Sequence, residues 1–533
     1  MNVRGLALAA LASAASPTPV PAAQEGLARV ATLQLPRELT ARDAALGDLD
    51  GDGQLDVVVS ASRERVPFAR ALQVYLGKSG AGAPASSIDL TPDVVAWAIG
   101  DVHPAPGDEI VLFSAAGAFA WRALASAEQR LSRLVAAPFL WQVPDPEQAF
   151  LWDSGVRDLD GDGRDDLVLP VPGGCAFAVQ RRTREDEDFG WQSLVFVPSD
   201  ETSAGAWLSS ADGEPTWRGR RSQRELSFSV RLGGARSEAE DDEPATLLEL
   251  VETSPAPQLV DWDADGDLDL LAQTERRLHV WIQEPRGRYE RVPSFSWPLP
   301  VPADRERRLD PSYGALALDL TADGRCDAAI FASDKRASDV RAQALLFVQG
   351  AGRGEGGQSA VEPLFGARGR PQDVLVFAGF VSDADFAPVD RDPYPELVAI
   401  TVRLDLIDQV RSASTETIDA DLSVYRNRRG SFSKRPDLTW RYSVPLRDFI
   451  PTVRFFADVT GDGVSELLAR DAPARVRLHR VAAKGEGWSV VERPIWELAI
   501  QDSATLRVAG GRGRAVPDLL VVEKTQVLHV RFP

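Results

Sequence analysis

Five segments of the 533-residue chain place acids at alternate positions ahead of a glycine, with a further acid three residues on. In the first, Asp48, Asp50 and Asp52 precede Gly53, and Asp56 follows. Asp158, Asp160, Asp162 and Asp166 repeat the spacing around Gly163, and Asp261, Asp263, Asp265 and Asp269 around Gly266. Two more segments put threonine in place of the second acid: Asp319, Thr321, Asp323 and Asp327, then Asp458, Thr460, Asp462 and Glu466. Alternate residues of a tight turn share one side, so positions one, three and five converge their oxygens. The glycine at position six takes the positive φ that such a turn needs. Position seven (Gln54, Arg164, Asp267, Arg325 and Val464) offers a backbone carbonyl, and the acid at position nine returns a carboxylate from the next strand. A hard dication prefers six to eight oxygens at about 2.3–2.6 Å. Without a cation, four carboxylates this close repel one another strongly. The expected chemistry is ligation of Ca²⁺ at about five sites, which would bring the formal charge from −20 to about −10.

Two other calcium loops are excluded. An EF-hand carries a bidentate Glu at position twelve, between helices. Position twelve here holds Val59, Leu169, Ala272, Ile330 and Ala469. Dockerin-type loops lead into helices, whereas these lead into apolar runs such as VVVSA and LVLPV, which suit strands buried on both faces.

The acidic turn is one part of a longer repeat. Three worn copies add Asp101 with Glu109, Asp390 with Asp392 and Glu396 (Pro388 standing at position one), and Asp518 alone. We expect no metal at these three. The eight starts fall at residues 48, 101, 158, 261, 319, 388, 458 and 510, mostly 52 to 70 residues apart. Each acidic turn is followed by an apolar strand, a second strand around a valine (LQVYL, AFAVQ, LHVWI, LLFVQ, LSVYR, LHVRF) and often a last strand. Periods of this length in an all-β pattern predict a single β-propeller of about eight four-stranded blades, with seven as the alternative. The last unit stops after its third strand, and residues 27–36 supply the missing fourth, which closes the ring.

These units resemble the FG-GAP/VCBS repeats of the integrin α-subunit propeller and of many secreted bacterial proteins, over roughly residues 27–533. Phe-Gly and Gly-Ala-Pro words are absent from the expected register, and Ser60-Ala61-Ser62 stands where the second would fall, which favours the VCBS-like branch. The resemblance implies calcium ligands at Asp48, Asp50, Asp52 and Asp56 and at their equivalents in copies three, four, five and seven. It implies an exported binding or adhesion module for an extracellular or periplasmic protein or glycan. Some polysaccharide lyases use calcium-rich propellers of related repeats, so a carbohydrate-active enzyme (a lyase or hydrolase) is the alternative.

The remaining sequence fits that expectation. Acids outnumber Lys and Arg by 79 to 59, which argues against nucleic acid and anionic lipid as partners. Arg4, an apolar run from Gly5 to Ala15 and small residues up to Ala22-Ala23 read as a signal peptide over residues 1–23, with the propeller over 24–533. The expected location is secreted, periplasmic or cell-surface, with no membrane span. Cys175 and Cys326 form no disulfide framework, and neither Asn2 nor Asn427 opens a glycosylation sequon. Motifs of nucleophilic, zinc or nucleotide chemistry are missing. His279, His479 and His529 share one strand position that Gln73, Ala178, Phe347 and Ser423 fill elsewhere, which marks a structural place. The gap of 103 residues between copies three and four predicts an inter-blade insertion at residues 199–257. It carries Trp207, Trp217, a basic stretch from Arg218 to Arg224 and a predicted hairpin (226–232 and 247–251), on the ring face expected opposite the acidic turns.

Overall fold

The computed structural model describes residues 27–533 except 64–68, 137–148, 183–186, 196–204, 210–224, 233–246, 299–313, 334–340, 350–370, 403–416, 446–450, 511–515 and a few loop positions. The signal segment, Trp217 and the basic stretch after it lie outside the described residues.

Eight four-stranded antiparallel blades form one ring. Blade 1 comprises Thr40–Gly47, Asp56–Arg63, Ala69–Tyr75 and Ser86–Leu90, hydrogen-bonded in chain order. The second strands of blades 2 to 8 are Glu109–Ser114, Asp166–Val171, Asp269–Gln273, Asp327–Ser333, Glu396–Val402, Leu467–Ala472 and Asp518–Val522. These are the apolar runs that follow the acidic turns. The second strand of blade 1 is buried at all but its last residue, as a central strand packed on both faces must be.

Blade 8 takes three strands from the chain's end, Thr505–Ala509, Asp518–Val522 and Gln526–Arg531. Its fourth is Arg29–Gln34, paired antiparallel from Arg29 with Arg531 to Gln34 with Gln526. The expected N-terminal closure is thus observed, and the count is eight. A ring closed this way leaves neither terminal blade with an open edge.

The apolar core is divided like the ring itself. Each hydrophobic cluster lies between two successive blades. Trp97, Ile110 and Leu112 pack on Leu49, Val58 and Leu72 between blades 1 and 2. Trp262, Leu271 and Val280 pack on Ala328, Ile330 and Phe347 between blades 4 and 5. Leu33, Leu520 and Val527 pack on Val57 and Val59 across the closure. Trp297, Phe377 and Trp496, each on the fourth strand of its blade, are buried members of these clusters.

Three details were not anticipated. Blades 4, 6 and 7 insert a small hairpin between their third and fourth strands, at Gln283–Glu284 with Arg288–Tyr289, Asn427–Arg428 with Ser431–Phe432, and Val481–Lys484 with Gly487–Val490. Before blade 3, Phe150–Leu151 pair parallel with Ala96–Trp97 on the inner strand of blade 2. The chain then turns through Asp153–Gly155 into the short first strand Val156–Arg157. The insertion between blades 3 and 4 is a separate three-stranded sheet of Gly205–Ser209, Leu247–Pro255 and Glu225–Leu232. The predicted hairpin is its latter pair, and Trp207 lies in its first strand.

Candidate metal centres

Each acidic turn joins the first and second strands of its blade, so all eight share one face of the ring. Local backbone chemistry fixes its shape. The position-one carboxylate accepts the position-six amide: Gly53 from Asp48 at 2.9 Å, Gly163 from Asp158 at 2.9 Å, Gly266 from Asp261 at 3.1 Å, Gly324 from Asp319 at 2.8 Å and Gly463 from Asp458 at 2.8 Å. Those glycines have φ between 82° and 95°, where a Cβ would strain the backbone. Position five closes a smaller turn by accepting the position-seven amide, as in Gln54 to Asp52, Arg164 to Asp162, Asp267 to Asp265, Arg325 to Asp323 and Val464 to Asp462.

Position nine is the most buried member. Asp56, Asp166, Asp269, Asp327, Glu396 and Glu466 are each at most 1% exposed. One oxygen accepts the amide of position two, which is itself buried: Leu49, Leu159, Trp262, Leu320, Val389 and Val459, at 2.6–3.0 Å. In blades 1, 3, 4 and 5 the other oxygen accepts an amide at or just past the end of the third strand, Gly77, Gln180, Gln283 or Gln349, at 2.6–2.7 Å. The acid expected purely as a ligand therefore also ties the turn to the far side of its blade.

That next residue does further work which the sequence reading missed. The Gln180 side-chain amide donates to Val102 O of the preceding blade, Gln283 to Leu159 O and Asn427 to Leu320 O, each at 2.8 Å. With its nitrogen turned the same way, Gln349 reaches Trp262 O at 3.1 Å. Each acceptor in the preceding blade is a position-two carbonyl, so one buried amide stitches each of these turns to its neighbour. The signal was present in the sequence, because AFAVQ, LHVWIQ, LLFVQ and LSVYRN each end on that amide.

Three acids come within 4.8 Å of one another in five turns: Asp48, Asp50 and Asp56; Asp158, Asp160 and Asp166; Asp261, Asp263 and Asp265; Asp390, Asp392 and Glu396; Asp458, Asp462 and Glu466. Four of these are turns the sequence singled out. Copy six, set aside because Pro388 occupies position one, gathers its acids all the same. Copy five keeps Asp319, Asp323 and Asp327 in order but does not draw them together to that distance among the described residues. There Thr321 bonds back to Asp319 through its amide, at 3.0 Å.

The donor set fits a hard cation. Asp50 Oδ1, Asp158 Oδ1, Asp263 Oδ1, Asp458 Oδ1 and Glu396 Oε1 are buried oxygens without a protein partner, which is costly unless a ligand satisfies them. Burial pushes the position-nine carboxyls up, to about 6 for Asp56, about 7 for Asp269 and Asp327, and about 8 for Asp166 and Glu396, against the backbone amides that hold them down. Neighbouring acids add to burial in raising Asp160 and Asp263. A divalent cation at the convergence point would reverse this and keep the groups ionised.

Eight four-stranded blades, with acidic turns gathered on one face, define a β-propeller fold whose acid clusters could hold metal ions. Residues 40–83, the greater part of blade 1, match the family model of the FG-GAP repeat. The chain is a β-propeller carrying an FG-GAP repeat. No curated protein matches it in sequence. Solved structures that resemble it include an Agrocybe aegerita lectin that recognises non-reducing terminal N-acetylglucosamine, at 15% identity and TM-score 0.36, covering 89% of this chain and 94% of that one. Sqt1 from Chaetomium thermophilum aligns at 10% identity and TM-score 0.41 over 94% and 98%. The exotype rhamnogalacturonan lyase YesX aligns at 12% identity and TM-score 0.34 over 94% and 75%.

The other expected residues stand as follows. His479 is buried, with Nδ1 3.0 Å from Val491 O, and His529 is buried against Asp518 at 2.8 Å. Cys175 and Cys326 are buried free thiols. No helix among the described residues is long and apolar enough to cross a membrane.

Proposed function

We propose that the protein is an exported, calcium-stabilised propeller that acts as a non-catalytic binding or adhesion module for a protein or glycan. The carrying observation is the set of acid clusters on one face, each in a repeat-specific turn and each with one orphaned buried oxygen. Calcium there is structural. It locks the turns that the buried amides stitch together, and leaves the opposite face free for recognition. The apolar run from Gly5 to Ala15 supports export. The 199–257 insertion, on the link between blades 3 and 4, belongs to the recognition face, because a long inter-blade excursion is a common place for binding residues. The test is a panel of polysaccharides and cell-surface extracts applied to the full chain with Ca²⁺, read for binding and for turnover. Binding without turnover supports the proposal, and turnover overturns its non-catalytic part.

A second reading, a carbohydrate-active enzyme, has one observation in its favour. At the inner edge of the ring Arg507 of blade 8 pairs with Asp43 of blade 1, Nε to Oδ1 at 2.8 Å, with a second contact to Oδ2. Asp153 keeps solvent contact beside them while protein crowds it, and that burial raises its carboxyl against the pull of Arg507. A guanidinium with two unlike carboxyls near the axis is the kind of constellation such chemistry uses. Turnover that is lost in D153N would select this reading.

A further inference from the structure

The turns divide into two classes by a residue outside them. Position ten of every turn pairs across the blade with a third-strand residue: Val57 with Tyr75, Ile110 with Trp121, Leu167 with Ala178, Leu270 with Trp281, Ala328 with Phe347, Leu397 with Tyr425, Leu467 with His479 and Leu519 with Val530. The residue after that partner is Leu76, Val179, Ile282 or Val348 in blades 1, 3, 4 and 5. It is Arg122, Arg426, Arg480 or Arg531 in blades 2, 6, 7 and 8. The aliphatic set coincides with the turns that keep Asp at positions one, five and nine. The arginine set coincides with those that lost acids or changed Asp to Glu at position nine.

The arginines reach into their own turns. Arg480 Nε and Nη2 both lie 2.8 Å from Asp462 Oδ2. Arg426 Nη2 is 3.3 Å from Asp390 Oδ2, and its guanidinium lies 3.9 Å above the Trp488 ring of blade 7. Arg531 Nε is 3.6 Å from Asp518 Oδ2, while its Nη2 donates to Leu55 O of blade 1 at 3.0 Å. In blade 2 the Arg122 charge pulls against the burial that raises Glu109, and its Nη1 is 2.9 Å from His103 Nε2. Among the described residues no basic side chain pairs with the acids of blades 3 or 4. Blade 1 has Lys78 on Asp50, but that lysine is half exposed, hangs on a flexible stem and can swing clear.

We propose that the arginine at this register position is a built-in counter-cation that takes the place of the metal ion in blades 2, 6, 7 and 8. The ring then has two ways of neutralising its turns, a dication in blades 1, 3, 4 and 5 and a guanidinium in the rest. A guanidinium suits the role because it stays charged and its fork of donors matches a carboxylate. The acid clusters of blades 6 and 7, which also fit a cation by their geometry, are on this view already neutralised by Arg426 and Arg480.

This rests in part on the calcium reading, so the test separates the two. The full chain, R480L, R426L and I282R are compared for bound Ca²⁺ per chain by calorimetric titration, and for melting temperature in EGTA. The expected result is one additional Ca²⁺ in R480L or R426L and one fewer in I282R. In EGTA, R480L and R426L should melt lower than the natural chain and I282R higher. The EGTA arm decides the inference even if no turn binds calcium, because the arginine neutralises its acids regardless of metal. Unchanged melting in EGTA together with an unchanged ion count overturns it. If R480L fails to fold, R426L and I282R carry the same comparison.

Discussion

The position-nine acid shows how one residue serves two ends. Glu109 in blade 2 is 2% exposed, and burial pushes its carboxyl from 4.5 to about 8 against one amide bond from Val102. The folded chain thus holds a proton that the unfolded chain releases near pH 4.5. The stabilisation from this group is complete below that pH and is lost as pH rises through about 8. E109Q stays neutral throughout. The stability of the natural chain relative to E109Q should therefore fall between pH 5 and pH 8, by up to ~1.4 kcal/mol per unit. Urea melts at the two pH values check this, and a difference that does not move with pH contradicts it. The stitching amide gives a second prediction at this scale. Gln283→Leu leaves Leu159 O without its donor, while Leu268 O keeps the Tyr289 hydroxyl, and should cost roughly 1–3 kcal/mol in urea melts. A change within error would show that the stitch adds nothing. The acids were legible in the sequence because their spacing is a direct image of a turn. The arginines and glutamines were harder to see, because they meet the turns only across a blade, the glutamines 14 to 22 residues away and Arg426 36 residues from Asp390.

At the scale of the element, the strands were legible because a buried central strand writes itself as an unbroken apolar run, and the acidic turn marks where it begins. Closure was legible because the last unit lacked a strand and the first had one to spare. The small hairpins of blades 4, 6 and 7 were not. Their strands are two to four residues long, too short for a period to declare itself. The kink at Phe150–Leu151 arises from pairing with a neighbouring blade, which no local pattern encodes. Removing residues 27–34 should uncover the edge of Gln526–Arg531 and open the ring. The expected outcome is a lower melting temperature and association between chains, read by calorimetry and by light scattering. An unaltered monomer would show that closure needs no fourth strand. Deleting residues 200–250 should by contrast leave the melting temperature of the ring nearly unchanged, since that sheet pairs only with itself among the described strands. Its effect belongs on partner binding, and a deletion that binds as before would remove the insertion from the recognition face.

For the whole molecule, the ring sets what calcium can do. Eight apolar wedges hold the blades side by side, and the turns add a belt of hydrogen bonds and charge on one face. Neutralising that belt links neighbouring blades, so loss of the ions should loosen the whole ring together. Each site that binds only the folded chain adds RT ln(1 + [Ca²⁺]/Kd), about 2.7 kcal/mol at a hundredfold excess over Kd. Thermal unfolding of the full chain in EGTA and in millimolar Ca²⁺ measures this most directly. Calcium loading predicts a melting temperature that rises with Ca²⁺ concentration and falls back when EGTA is added. The same melting temperature in both conditions would contradict a calcium-stabilised propeller.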